Sequence, residues 1–180
     1  GKEGEATYRR EGPSFAIRPL LSEMFGLTTD TNRYVYLSDG GHFENLGLYE
    51  MVRRRCRLTV VSDAGCDPKS EFGDLGNAVR KIALDLGVRI TFQDVEKLAT
   101  RSPGKDRPDA PYHAIGTIHY PDADGGGKNG FLLYINPAYH GLENLGIRSY
   151  AAANPDFPHQ STGDQFFSES QFESYRALGR

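Results

Sequence analysis

Two stretches decide the fold: Tyr34-Val35-Tyr36-Leu37-Ser38-Asp39-Gly40-Gly41 and Leu58-Thr59-Val60-Val61-Ser62-Asp63-Ala64-Gly65. Each is a short β-prone run that stops at a turn cluster of serine, aspartate and glycine. Between them, Glu44 to Arg55 reads as a helix with Leu48, Met51 and Val52 at helical spacing. Glu44 stands at its start and Arg53, Arg54 and Arg55 at its end, the signs that suit the helix dipole. Strand, helix and strand in so short a span predict a parallel pair joined by a right-handed crossover. Both strands then end on one edge of the sheet and carry Asp39 and Asp63 to it. Open α/β sheets usually place their sites at that edge. The unbroken apolar run 58–61 further predicts a strand covered on both faces.

Outward from this unit, residues 1–13 are polar and Gly-rich and read as a loose lead-in. Residues 14–25 predict a short helix beginning near Pro19. Asp74 to Leu86 carries Leu75, Val79, Ile82, Ala83 and Leu86 on one helical face, with Gly87 as its stop. Val88 to Phe92 resumes a strand, and 100–111 is a surface loop. Tyr112 to Tyr120 and Phe131 to Ile135 predict an antiparallel pair around the loop 121–130. Residues 137–163 read as irregular, and Asp164 to Leu178 as a closing helix. The expected fold is therefore α/β. It has a mostly parallel sheet flanked by helices, with an added antiparallel hairpin, in a single domain spanning 14–180.

Composition narrows the function. Across 180 residues, 38% are hydrophobic and 25% charged, which is globular rather than disordered. A net charge of −3 argues against a nucleic-acid binder. Two cysteines, Cys56 and Cys66, are too few for a disulfide scaffold or a Cys-rich zinc site. No apolar run approaches the roughly 18 residues of a membrane span. The first residues do not read as a signal peptide, and the chain is expected to be a piece of something longer. Nothing in the residues fixes a cellular location.

The chemistry-bearing segment is Leu37 to Glu50. A strand delivers Asp39, Gly40 and Gly41 let the backbone turn sharply, and a helix follows. Two readings stand side by side. Asp39 is a rigidly held carboxylate at the rim of a cleft, or it merely caps the turn that follows.

Asp39-Gly40-Gly41, with His42-Phe-Glu-Asn-Leu-Gly-Leu-Tyr-Glu50 and the basic helix end, resembles the aspartate segment of patatin-like phospholipases. It is closest to the large bacterial patatin-like proteins and, more distantly, similar to the cytosolic group IV phospholipases. The likeness extends through Cys56 to Gly65. It resumes at Asn154-Pro-Asp-Phe-Pro-His-Gln-Ser-Thr162 and over 164–179. The resemblance implies a Ser–Asp dyad that cleaves lipid acyl esters. A serine on a G-x-S-x-G elbow attacks, the aspartate acts as its base, and a Gly-rich loop supplies the oxyanion hole. It carries the base role onto Asp39 alone; Gly40, Gly41, His42 and Asn45 are the supporting candidates read from the turn itself. No cofactor is implied.

One departure from that pattern shapes the expectation. The chain has no G-x-S-x-G: the nearest piece, Gly12-Pro13-Ser14-Phe15-Ala16, lacks the second glycine, and no Gly-rich oxyanion loop precedes Asp39. The chain is expected to be the C-terminal portion of a patatin-like domain, inactive alone, whose partners are the missing N-terminal part and an acyl-ester substrate. The rival expectation is a non-catalytic α/β binding or assembly module.

The remaining candidates carry less. His42 follows the glycines and reads first as structural. Asp63 reads first as a turn former, and Asn45 as a bond across the turn. None of the five histidines has a triad context. His113 and His119 share a strand face but lack further ligands, and Asp122 and Asp124 begin a calcium-type loop that has Leu133 where a glutamate is needed. No metal site is expected. Arg53 to Arg57 reads as a solvated helix end rather than a lipid-headgroup patch, and both cysteines as buried or inert.

Overall fold

A computed structural model describes residues 12, 15–32, 37–98, 110–121 and 128–180. The chain divides into two compact units, Gly1–Phe43 and Glu44–Arg180.

In the first unit, α1 spans Ile17–Met24. Pro19 is tolerated because it lies in the first turn, where backbone N–H groups have no intrahelical acceptor. Gly26 ends the helix in the left-handed region at φ 64°, and the Leu27 N–H reaches back to the Ser22 carbonyl at 2.8 Å. A single 3-10 turn, Gly40–His42, follows later. The expected strand at 34–37 and its pairing with 58–61 lie outside the described residues, apart from Leu37, which is in no strand. Of the expected lead-in 1–13, only Gly12 is described.

The second unit is an α/β layer structure. α2 is Leu48–Arg53, β1 Leu58–Ser62, α3 Gly73–Leu86, β2 Arg89–Gln93, β3 His113–His119, β4 Gly130–Ile135, α4 Leu145–Ala153 and α5 Glu169–Leu178. The strands lie in the order β1-β4-β3-β2. β1 runs parallel to β4, with Leu58 opposite Phe131 and Ser62 opposite Ile135. β3 runs antiparallel to β4, as the hairpin reading expects, and β2 runs antiparallel to β3. The expectation of a mostly parallel sheet is therefore corrected: the described sheet is mixed, with β1–β4 its parallel pair. The reason lies in β2, which pairs with β3 rather than extending the β1 side. Among the described residues between β2 and β3, Val95–Leu98 forms a 3-10 turn.

Helix boundaries move for local reasons. α2 begins after Gly47, held left-handed at φ 68°, rather than at Glu44. The Glu44 carboxylate instead accepts the N–H groups of Leu46 at 2.6 Å and Tyr49 at 3.3 Å, so the acid works as a cap. α3 matches its expected span to within a residue, and Gly87 stops it at φ 64°. α5 starts five residues later than 164 because Ser168 caps it, its hydroxyl accepting the Gln171 N–H at 3.2 Å. α4 falls in the stretch expected to be irregular and is set off by Asn144, whose side chain accepts the Ile147 N–H.

The main core lies between the sheet and α2 and α3. Leu48, Val52, Leu75, Ala78 and Ile82 from the helices meet Val61, Ile90, Ile118, Leu132 and Tyr134 from the strands. A second cluster joins Tyr139, Ile147, Ala151 and Phe157 beside Tyr150 and Tyr175. The other face of the sheet is open. Leu58 is 70% exposed, Val60 58%, Phe131 58% and Ile115 55%. The expectation that β1 is covered on both faces is thus corrected, since only Thr59 and Val61 point into the core.

Candidate functional site

The Asp39 turn is built by its own backbone. Asp39 sits at φ −57°, ψ 132°, and its Oδ1 accepts the Gly41 N–H at 3.0 Å. The Asp39 carbonyl accepts the His42 N–H at 3.1 Å, and the Gly40 carbonyl accepts the Phe43 N–H at 2.9 Å. Gly40 has open space around its Cα, so its use here is a tight turn rather than a close neighbour. The side chains add a second layer: Ser38 Oγ lies 3.0 Å from His42 Nδ1 and also donates to the Asp39 carbonyl at 3.3 Å. Asp39 is exposed, and Oδ2 has no hydrogen bond from the described residues. One carboxylate oxygen is therefore committed to the turn, and the other makes no hydrogen bond among the described residues.

Asn45, expected to bond across this turn, makes a different bond. It lies in the second unit, where its Nδ2 donates to Asp74 Oδ2 at 3.1 Å, at the start of α3. Asn45 and Asp74 line a cleft of about 440 Å³ at the C-terminal end of β1, together with Ser62, Asp63, Cys66 and Thr162.

Asp63 is the best-anchored carboxylate of that cleft. It is 7% exposed. Its Oδ2 accepts the Tyr134 hydroxyl at 2.6 Å, its Oδ1 accepts the Gly65 N–H at 2.9 Å, and Asn136 Nδ2 donates to the Tyr134 oxygen at 3.4 Å. A Cβ at position 65 would lie 3.0 Å from Asp63 Oδ1 and 3.5 Å from Asp74 Oδ2, so glycine there lets the backbone close over both carboxylates. Burial, with the neighbouring Asp63 charge, raises the Tyr134 hydroxyl pKa far above its ordinary value, and Tyr134 keeps its proton. Turn residues alone identify Asp63, and Gly65 is a local partner, but Tyr134 lies 71 residues away and leaves no mark in the local sequence.

No family model, curated protein or solved structure matches the chain.

The remaining candidates disperse. His119 pairs with Thr91 across the β2–β3 ladder at 2.9 Å. His140 is buried against the Tyr112 ring at a centroid distance of 4.5 Å, and His159 is buried beside Gly65 and Asp67. Among the described residues, no group of three or more His, Cys, Asp or Glu side chains could hold a metal ion. Asp122, Asp124 and Gly125 to Gly127 lie outside them. Cys66, read as buried or inert, is exposed; its thiol donates to the His159 carbonyl at 3.0 Å, while Cys56 is half-buried. Arg53 and Arg54 both close on Glu50, at 3.2 and 2.8 Å, which ties the basic helix end to its own helix. No helix among the described residues is long and apolar enough to cross a membrane.

Proposed function

We propose that this chain is the aspartate-bearing, C-terminal portion of a patatin-like serine acyl-ester hydrolase, acting on lipid acyl esters. In this reading Asp39 is the base of a Ser–Asp dyad, and the nucleophile comes from the N-terminal part of the same domain. The observation that carries the reading is the Asp39 turn: a segment resembling the patatin aspartate motif holds its carboxylate by one oxygen and leaves the other open.

The chemistry is direct. The nucleophilic serine gives its hydroxyl proton to Asp39 Oδ2 as its oxygen attacks the ester carbonyl. The tetrahedral intermediate collapses to the acyl-serine, and Asp39 returns the proton to the departing alkoxide. In the second half, Asp39 takes a proton from water, the resulting hydroxide adds to the acyl carbonyl, and the serine oxygen leaves with the proton returned by Asp39, releasing the carboxylic acid. In this reading the N–H donors that stabilise the oxyanion come, like the nucleophile, from the N-terminal part of the domain. No step calls for a cofactor.

The open face of the sheet supports the proposal that more chain completes the domain. Leu58 and Val60 on β1, Phe131 on β4 and Ile115 on β3 form one apolar field across paired strands, and β1 is an edge with no partner on its outer side among the described strands. A parallel pair is ordinarily covered on both faces, and apolar patches of this kind mark docking surfaces.

A second reading, a non-catalytic α/β module, is favoured by the same bond from Gly41 N–H to Asp39 Oδ1, which a purely structural aspartate would also make. Fluorophosphonate labelling separates the two. A serine outside this chain that labels in the intact protein, and labels far more slowly with Asp39→Asn, supports the hydrolase. A folded protein with no reactive serine supports the module.

A further inference from the structure

The geometry points to Ser38 and His42 as a side-chain clasp that aims the open oxygen of Asp39; the inference rests on the proposed base role of Asp39. Ser38 and His42 flank the Asp-Gly-Gly turn on either side. Ser38 Oγ donates to the Asp39 carbonyl at 3.3 Å and lies 3.0 Å from His42 Nδ1. With the hydroxyl hydrogen on that carbonyl the imidazole donates the second bond through Nδ1–H; in the other tautomer the hydroxyl donates to Nδ1, and either way one bond at Nδ1 joins the two side chains.

The carbonyl of Asp39 thus collects two donors, the His42 N–H at 3.1 Å and the Ser38 hydroxyl, while its Oδ1 holds the Gly41 N–H. Every one of these bonds fixes the plane of the residue that carries the carboxylate. The turn is exposed, so backbone bonds alone would leave it free to fluctuate. A general base works only when its oxygen lies within hydrogen-bond reach of the proton it takes. Ser38 and His42 are positioning residues: they touch neither substrate nor nucleophile, and act through the orientation of Asp39.

The test uses the intact protein and the rate constant for fluorophosphonate labelling of its nucleophilic serine. Ser38→Ala and His42→Gln remove the clasp and should each slow labelling about 3- to 10-fold, the value of one modest hydrogen bond. His42→Asn places an amide N–H where Nδ1–H stood and should label within about 2-fold of the parent, as should Ser38→Thr, which keeps the hydroxyl. A role for ring bulk or for Nε2 predicts the opposite order, with Gln better than Asn. The inference is overturned if Asn and Gln behave alike, or if Ser38→Ala labels at the parent rate. Asp39→Asn runs alongside. If it abolishes labelling while Ser38→Ala and His42→Gln label at the parent rate, only the clasp fails. If it leaves labelling unchanged, the base role and the clasp fall together.

Discussion

Replacing Tyr134 with phenylalanine probes the most deeply held carboxylate of the structure. The ring itself should stay in place, because Phe72 and Phe92 pack edge-on against it at 6.3 and 6.4 Å and neither contact involves the hydroxyl. What is lost is the 2.6 Å bond to Asp63 Oδ2, leaving that buried side chain with the Gly65 N–H as its remaining donor. Asn136 loses its weak 3.4 Å acceptor as well. A hydrogen bond to a charged group is worth about 1.5–3 kcal/mol, so Tyr134→Phe should destabilise the second unit by about 2 kcal/mol. Urea denaturation followed by circular dichroism reads this as a lower midpoint at unchanged slope. A double-mutant cycle with Asp63→Asn should show most of that loss as coupling between the two positions. A loss below about 0.5 kcal/mol would refute the reasoning. It would mean that water from the adjoining cleft replaces the hydroxyl, and that Asp63 is not held by Tyr134.

Three further outcomes follow. Tyr134 keeps its proton in the folded state to higher pH than in the unfolded chain, because burial and Asp63 oppose the phenolate. Its stabilising contribution is therefore complete below about pH 10 and is lost as pH rises above that, by up to about 1.4 kcal/mol per pH unit. Tyr134→Phe should flatten the alkaline limb of the stability curve by one proton. Gly47→Ala should cost about 1 kcal/mol through backbone strain alone, since the residue sits at φ 68° with open space where a Cβ would go; thermal melts check this. Phe131→Ser on the open sheet face should change stability by less than about 1 kcal/mol yet reduce self-association of the isolated chain in analytical ultracentrifugation, because the side chain is 58% exposed.

The parts of the fold that were legible in the sequence are those decided locally. α3 follows from the spacing of Leu75, Val79, Ile82 and Leu86 and ends where Gly87 supplies a left-handed residue. The β3–β4 hairpin follows from two apolar runs around a glycine-rich loop. Strand direction was not legible, because β2 pairs with β3 through contacts that no local pattern encodes. Nor was the open face: β1 reads as uniformly apolar, and only the placement of α2 and α3 shows that half of it is uncovered. α4 hides because it is a nine-residue helix between Pro137 and Pro155, and its signals, the Asn144 cap and Ala151 to Ala153, are short. At the site, the Asp39 turn is written in the sequence, since aspartate followed by two glycines dictates it. The Ser38–His42 bond is not, since it depends on side-chain direction around that turn. Asn45 shows the limit of proximity in sequence, for it lies six residues past Asp39 and bonds to Asp74.

The central claim is that Asp39 serves as a base for a serine outside this chain. Its most direct test is fluorophosphonate labelling of the intact protein, parent and Asp39→Asn, with the labelled peptide mapped by mass spectrometry. The account predicts one labelled serine outside these residues and at least about a hundredfold slower labelling in Asp39→Asn, as expected when a general base is removed. Equal labelling of the two proteins, or no labelled serine in a folded parent, would contradict it.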